Sequence, residues 1–201
     1  MRQMDISLIA QRLRESGELK RRLADEQAEA IKRAAQVIVT ALAQGGKVML
    51  FGNGGSAADA QHIAAEFVCR FQRDRRPLPA LALTTDTSVI TAIGNDYGFE
   101  HVFARQVQAL GNPADVVVAI STSGRSPNVL AGVRAARNMR LTTIGFIGGD
   151  GGELARLVDI PIVVPSRNIA QIQECHITIG HLVCEMVEQQ LISTQRVKRG
   201  S

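Results

Sequence analysis

The stretch Lys47-Val48-Met49-Leu50-Phe51-Gly52-Asn53-Gly54-Gly55-Ser56, with the alanine-rich run from Ala57 to Phe71 behind it, decides the fold. A short apolar run after Gly45-Gly46 reads as a buried strand. The glycines that follow permit a tight turn with close backbone approach, and the run behind them predicts a helix. Strand, glycine loop and helix form the basic unit of α/β proteins.

The unit recurs downstream. Asp115 to Ile120 is a β-rich run, Ser121-Thr122-Ser123-Gly124-Arg125-Ser126-Pro127 a loop of small polar residues, and Asn128 to Met139 a helix. Ala80 to Leu83, Thr142 to Phe146 and Ile160 to Val164 supply three more strands. Helical stretches begin at Thr87 and run from Phe103 to Leu110 and from Glu153 to Leu157, while Asp96 to Gly98 and Gly148 to Gly152 read as loops. The alternation predicts an α/β fold: a three-layer, doubly wound, five-stranded parallel sheet of the flavodoxin-like kind.

Upstream, Ile6, Ile9, Leu13, Leu19, Leu23, Ile31, Ile38 and Leu42 fall at helical spacing, which predicts an N-terminal helical arm over residues 1–44. Such an arm covers its own sheet or packs on a partner subunit. Residues 45–193 form the α/β domain, closed by an amphipathic helix from Ile172 to Leu191, and 194–201 form a basic tail with nothing in it that demands order.

A chain of 201 residues suits one domain with a full core, and 45% hydrophobic with 21% charged residues argues against disorder. Aromatics are 3%, with no Trp and one Tyr, leaving little on which single-stranded nucleic acid could stack. The net charge of +4 sits at the ends: residues 1–33 carry +2, 194–201 carry +3, and the remainder −1. No basic face for a polyanion follows from that distribution, so no nucleic-acid partner is expected. Cys69, Cys175 and Cys184 show no CxxC spacing and cannot all pair, which suits a reducing compartment. Without a signal peptide or an apolar run of about 18 residues, the expectation is a cytoplasmic protein with no membrane partner.

Both polar loops follow a strand and open a helix, so both belong at the carboxyl edge of the sheet, where ligands bind. In the first, Ser56 is placed to cap the helix and offer a hydroxyl. The second packs four hydroxyls and a glycine into six residues at a helix N-terminus. Free N–H groups, the helix dipole and hydroxyl donors there favour a phosphate. Capping alone requires one such hydroxyl. The absence of Gly-Lys-Ser/Thr excludes a P-loop; Gly52-x-Gly54-x-x-Ala57 keeps a dinucleotide reading open, although Asp86 lies farther along than the expected acid.

His62 and Glu66 are four residues apart and share a helix face, a spacing that serves a divalent metal, a proton-handling pair or a plain surface ion pair. The last helix carries Gln173, Glu174, His176 and His181. Gln173 and His181 are about 12 Å apart along an ideal helix. For both to meet one ion, Gln173 must precede the helix proper or the two must come from different subunits. Isolated histidines such as His101 and His176 read as packing or surface residues, and Asp59 as an exposed helix residue.

The segments Phe51 to His62, Gly94-Asn95-Asp96-Tyr97-Gly98, Ser121-Thr122-Ser123-Gly124 and Ile172-Gln173-Glu174-x-His176 followed by His181 resemble the sugar isomerase (SIS) domain family and, within it, the phosphoheptose isomerases. The resemblance covers nearly the whole chain to about Leu191. It implies interconversion of sedoheptulose 7-phosphate and D-glycero-D-manno-heptose 7-phosphate in bacterial heptose biosynthesis, by homotetramers with sites between subunits. It further implies one Zn2+ per subunit held by His62, Glu66, Gln173 and His181, and substrate contacts at Asn53, Gly54, Gly55, Ser56, Glu66, Asn95, Asp96, Ser121, Thr122, Ser123, Ser126 and Gln173. Glu66 and His181 match the family's acid/base pair. A related replication regulator that binds the bacterial initiator protein keeps the fold but lacks the matching Glu and His. A noncatalytic sugar phosphate sensor or initiator partner is therefore the alternative, and the presence of both residues favours the enzyme.

Overall fold

The computed structural model describes residues 5–199, and of residues 194–199 the backbone only. Five strands, β1 (Val48–Gly52), β2 (Ala80–Ala82), β3 (Val116–Ser121), β4 (Thr142–Gly148) and β5 (Ile160–Val164), form one all-parallel sheet in the order β2-β1-β3-β4-β5. The helices are α1 (Ile6–Ala43), α2 (Gly55–Val68), α3 (Thr87–Tyr97), α4 (Val102–Leu110), α5 (Pro127–Asn138), α6 (Leu154–Leu157) and α7 (Ile169–Arg199), with a 3-10 turn at Phe99–His101. The fold is the doubly wound one that the alternation of elements predicts.

Strand burial explains the apolar runs. Every residue of β1 and β3 is buried, as parallel strands covered on both faces require. Val48 and Leu50 enter the core shared with α1, α2 and α7, whereas Met49 and Phe51 enter the core formed with α3 to α6. Phe51 stacks on Phe103 of α4 at 4.8 Å, and Gly132 makes room for it, because a Cβ there would stand 2.8 Å from the Phe51 ring. Asp115, 2% exposed, accepts from the backbone and ammonium of Lys47 and so ties the starts of β1 and β3 together.

Over most of its length the arm covers its own sheet. From Ser16 to Leu42 one face of α1 is buried on the sheet and on α7. Its first turns stand clear, with Ile6, Ile9 and Leu13 exposed by 60% or more. Helix α7 begins at Ile169, three residues before the expected start, and continues through 194–199, so that part of the basic tail prolongs the helix; 200–201 lie outside the described residues. Helix α3 likewise includes Asp96 and Tyr97, where the sequence suggests a loop. Its stop is Gly98 at φ +91°, and Arg105 lies over the Tyr97 ring at 3.8 Å. No helix among the described residues is long and apolar enough to cross a membrane.

Candidate active site

Strands β1 and β3 are neighbours, yet the chain visits β2 between them. The reversal opens a crevice at their carboxyl ends, with Gly52 paired to Ile120. The glycine loop and the hydroxyl loop therefore stand side by side. Gly52 is required by packing: a Cβ would come 2.7 Å from both the Ile120 carbonyl and Ser56 Cβ. Helix α2 is capped by Gly54 at φ +56°, and Ser56 is a buried residue inside the first turn, so it is not the cap that the sequence suggests. A cleft of about 140 Å³ lies over this loop, bounded by Asn53, Gly54, Thr84, Phe99 and Phe103 among others.

The hydroxyl loop is held from within. Ser121 Oγ accepts from the Gly124 N–H at 3.1 Å and Ser123 Oγ from the Arg125 N–H at 3.2 Å. Ser126 stands at the N-cap of α5 without a side-chain capping bond, with its Oγ 3.5 Å from that of Ser121. That hydroxyl exceeds the needs of capping, and the helix behind it has the polarity for an anion. The loop rests on Gly149 to Gly152: a Cβ on Gly124 would meet the Gly151 carbonyl at 2.2 Å, and one on Gly152 the Gly124 carbonyl at 2.6 Å. Outside, Arg125 pairs with Asp150 at 2.7 Å and holds that carboxyl down to about 2.

Helices α2 and α7 lie side by side in parallel. Gln173 meets Gly55, Gly180 meets Ile63, and Glu188 meets the segment after α2. A Cβ on Gly180 would come 2.5 Å from Ile63, so the glycine allows the close approach that brings His181 to α2. His181 Nε2 lies 3.3 Å from His62 Nε2, which lies 3.1 Å from Glu66 Oε1. One ligand atom from each of the three residues falls within 4.8 Å of the others. Phe71 stacks on the His181 ring at 5.4 Å and the two imidazoles meet edge to face at 5.0 Å. With His62 and Glu66 side chains 48% and 23% exposed, the cluster opens to solvent on one side. Two imidazole nitrogens and a carboxylate oxygen converging with an open side suit a catalytic zinc, so this donor set fits the metal.

Gln173 lies inside α7, which removes the possibility that it precedes the helix. Its amide packs where a Gly55 Cβ would be, at 2.3 Å, and His62 is about 10 Å farther along α2. Within one chain, therefore, Gln173 joins the glycine loop and stands apart from the triad. Asn95 and Asp96 are exposed, bonded to each other at 2.7 Å, and Asp96 borders a separate cavity of about 550 Å³ between β2, α3 and α4. Asp86 caps α3 through a bond from the Val89 N–H at 3.0 Å, which occupies the acid considered for a dinucleotide.

Two features escape the sequence reading, and His176 proves to be a packing residue. Arg75 and Glu188, 3% and 2% exposed, form a buried ion pair at 2.9 Å. The guanidinium donates to the Glu66 and Phe67 carbonyls, and the carboxylate accepts from the N–H groups of Phe71, Gln72 and Arg73. Burial pushes the Glu188 carboxyl up, but these N–H bonds and Arg75 outweigh it and hold the group below its ordinary value. Asp59, expected to be exposed, is partly buried, with one oxygen enclosed without a partner, and burial raises its pKa. His176 is fully buried beside Phe146, and burial drives it down to about 4, an effect the Ile147 backbone offsets only in part. His101 is a surface residue beside Glu100, as expected.

A SIS domain is matched over residues 13–148. A phosphoheptose isomerase of Roseiflexus sp. (strain RS-1) is 59% identical over 174 residues, covering 87% of this chain and 88% of its own. One from Aquifex aeolicus (strain VF5) is 56% identical over 176 residues, covering 88% and 92%. Among solved structures, phosphoheptose isomerase GmhA from Neisseria gonorrhoeae superposes with a TM-score of 0.87 at 44% identity, covering 91% of this chain and 98% of that one. The Francisella tularensis phosphoheptose isomerase gives 0.89 at 42%, covering 93% and 100%. With its wound sheet, its paired loops and relatives of this likeness, the chain belongs to the SIS domain family and, within it, to the phosphoheptose isomerases.

Proposed function

We infer that the chain is an aldose-ketose isomerase that interconverts sedoheptulose 7-phosphate and D-glycero-D-manno-heptose 7-phosphate through an enediol. The observation that carries the reading is the convergence of Glu66 and His181, 115 residues apart in sequence, on one solvent-open cluster with His62. Glu66 has one carboxylate oxygen turned to His62 and a second left to take the proton from the carbon beside the carbonyl and, after exchange with solvent at this open cluster, deliver a proton to the neighbouring carbon. His181, its ring fixed by Phe71, serves the substrate oxygen as acid. Ser121, Thr122, Ser123 and Ser126 bind the phosphate with the start of α5, and that remote binding energy positions the reacting carbons. Asn53, Gly54 and Gly55 serve the sugar hydroxyls, and Asn95 and Asp96, which stand away from this cleft within one chain, would join them from a neighbouring subunit.

His62, Glu66 and His181, with Gln173, would hold one zinc per subunit. A zinc ion there would polarise the carbonyl and steady the charge that develops on its oxygen. The separation of Gln173 from His181 and the exposed apolar start of α1 support a homo-oligomer with sites shared between subunits, which the family resemblance implies is a tetramer. Mixing Gln173→Ala chains with His181→Ala chains should then restore turnover that neither has alone; no recovery at any ratio would contradict sharing.

The test of the activity is heptose phosphate formation from sedoheptulose 7-phosphate, with added zinc and with chelator. Isomer formed with zinc and lost with chelator supports the reading. Initiator-protein binding without turnover would favour the noncatalytic alternative.

A further inference from the structure

We propose that Asn128 is a positioning residue that holds the glycine loop and the hydroxyl loop in fixed register, a role that rests on the isomerase reading above. Its side-chain amide faces that of Asn53 in a closed pair: Asn53 Nδ2 donates to Asn128 Oδ1 at 2.8 Å, and Asn128 Nδ2 donates to Asn53 Oδ1 at 2.8 Å. Asn128 Oδ1 also accepts the Val129 N–H at 2.9 Å. Asn128 is 3% exposed, whereas Asn53 borders the cleft over the glycine loop.

The chemistry of the pair requires an amide at both ends. Each partner must donate and accept at once, and a carboxylate has no donor to offer. Asn53 spends one N–H and one lone pair on Asn128, which leaves it a second N–H for a sugar hydroxyl. Rotating Asn53 would break two enclosed bonds, so its direction is set by Asn128. Asn53 also receives the Ser56 N–H on its carbonyl at 3.0 Å, within the turn that opens α2. Asn128 lies in the first turn of α5, two residues after Ser126. The pair thus joins the start of the sugar-binding helix to the start of the phosphate-binding helix and fixes the spacing between the two ends of the substrate.

Asn128→Asp keeps the size of the side chain and its acceptor for Val129, deletes the donor to Asn53 Oδ1 and adds a negative charge; Asn128→Ala deletes both bonds without adding charge and should raise KM in the same direction, which separates loss of the pair from repulsion of the phosphate. In the full-length protein, Asn128→Asp should raise KM for sedoheptulose 7-phosphate about fivefold or more, the equivalent of one buried hydrogen bond, with kcat within about twofold. Asn53→Ala combined with Asn128→Asp should show the KM of Asn53→Ala alone within about twofold, because one residue acts through the other. An active native chain with unchanged KM in Asn128→Asp, or two defects that multiply, overturns the role while leaving the isomerase reading intact. A native chain without turnover overturns both.

Discussion

The hydroxyl loop is complete within six consecutive residues, with the Gly124 and Arg125 N–H groups bonded to its own serines, whereas the proposed proton-handling cluster draws two residues from α2 and one from α7. The first is a local object that a short segment specifies once a strand and a helix frame it. The second exists only through the packing of two helices, and what sets that packing lies elsewhere: Gly180 against Ile63, and Arg75 with Glu188 below. The contrast implies different failures. Damage to the loop should weaken binding, and damage to the cluster or its supports should remove chemistry or the fold itself.

The most severe test of that division is Glu66→Gln. Turnover should fall about 10²- to 10⁴-fold while sugar phosphate binding by calorimetry persists; appreciable residual kcat would remove Glu66 from the role of base. Glu188→Ala comes next. It strands the Arg75 guanidinium in the interior, and urea unfolding should show a loss of about 3–5 kcal/mol. A small loss would mean that the pair does not hold α2 and α7 together.

His176 and His181 sharpen the comparison along one helix. His176 is held neutral at about 4 by burial, so the folded protein declines a proton that the unfolded chain accepts near its ordinary value of about 6.5. Stability is therefore complete above that value and is lost as pH falls from about 6.5 to 4, by about 3 kcal/mol in all. His176→Leu should flatten this limb of the stability profile; an unchanged slope would place the acid sensitivity elsewhere. The smallest effect belongs to the loop. Ser126→Ala should raise KM by about five- to tenfold through loss of one phosphate hydrogen bond, with kcat nearly unchanged.

Sequence made the fold legible because parallel strands buried on both faces are continuous apolar runs, and because glycine and serine loops mark their ends. The His62/Glu66 pairing follows from helical periodicity alone. The start of α7 was open to reading too: Asn168 Oδ1 accepts from the Ala170 and Gln171 N–H groups, an Asn at a helix entry that signals its own boundary. Asp96 misled because its polarity suggests a loop, while the helix runs past it to stop at Gly98, with Arg105 over the Tyr97 ring. The pairing of Arg75 with Glu188 was not legible, since nothing local shows that the chain folds two residues 113 positions apart against each other. The Asn53–Asn128 pair was hidden for the same reason, its two members following different strands of the sheet.

Deuterium exchange tests the assignment of Glu66 and His181 most directly. Sedoheptulose 7-phosphate incubated with the zinc-supplemented native protein in D2O should yield product carrying solvent deuterium on the carbon beside the carbonyl, with no such incorporation for Glu66→Gln. Isomer formed without deuterium, or labelling that survives loss of the Glu66 carboxylate, would contradict proton transfer by this pair.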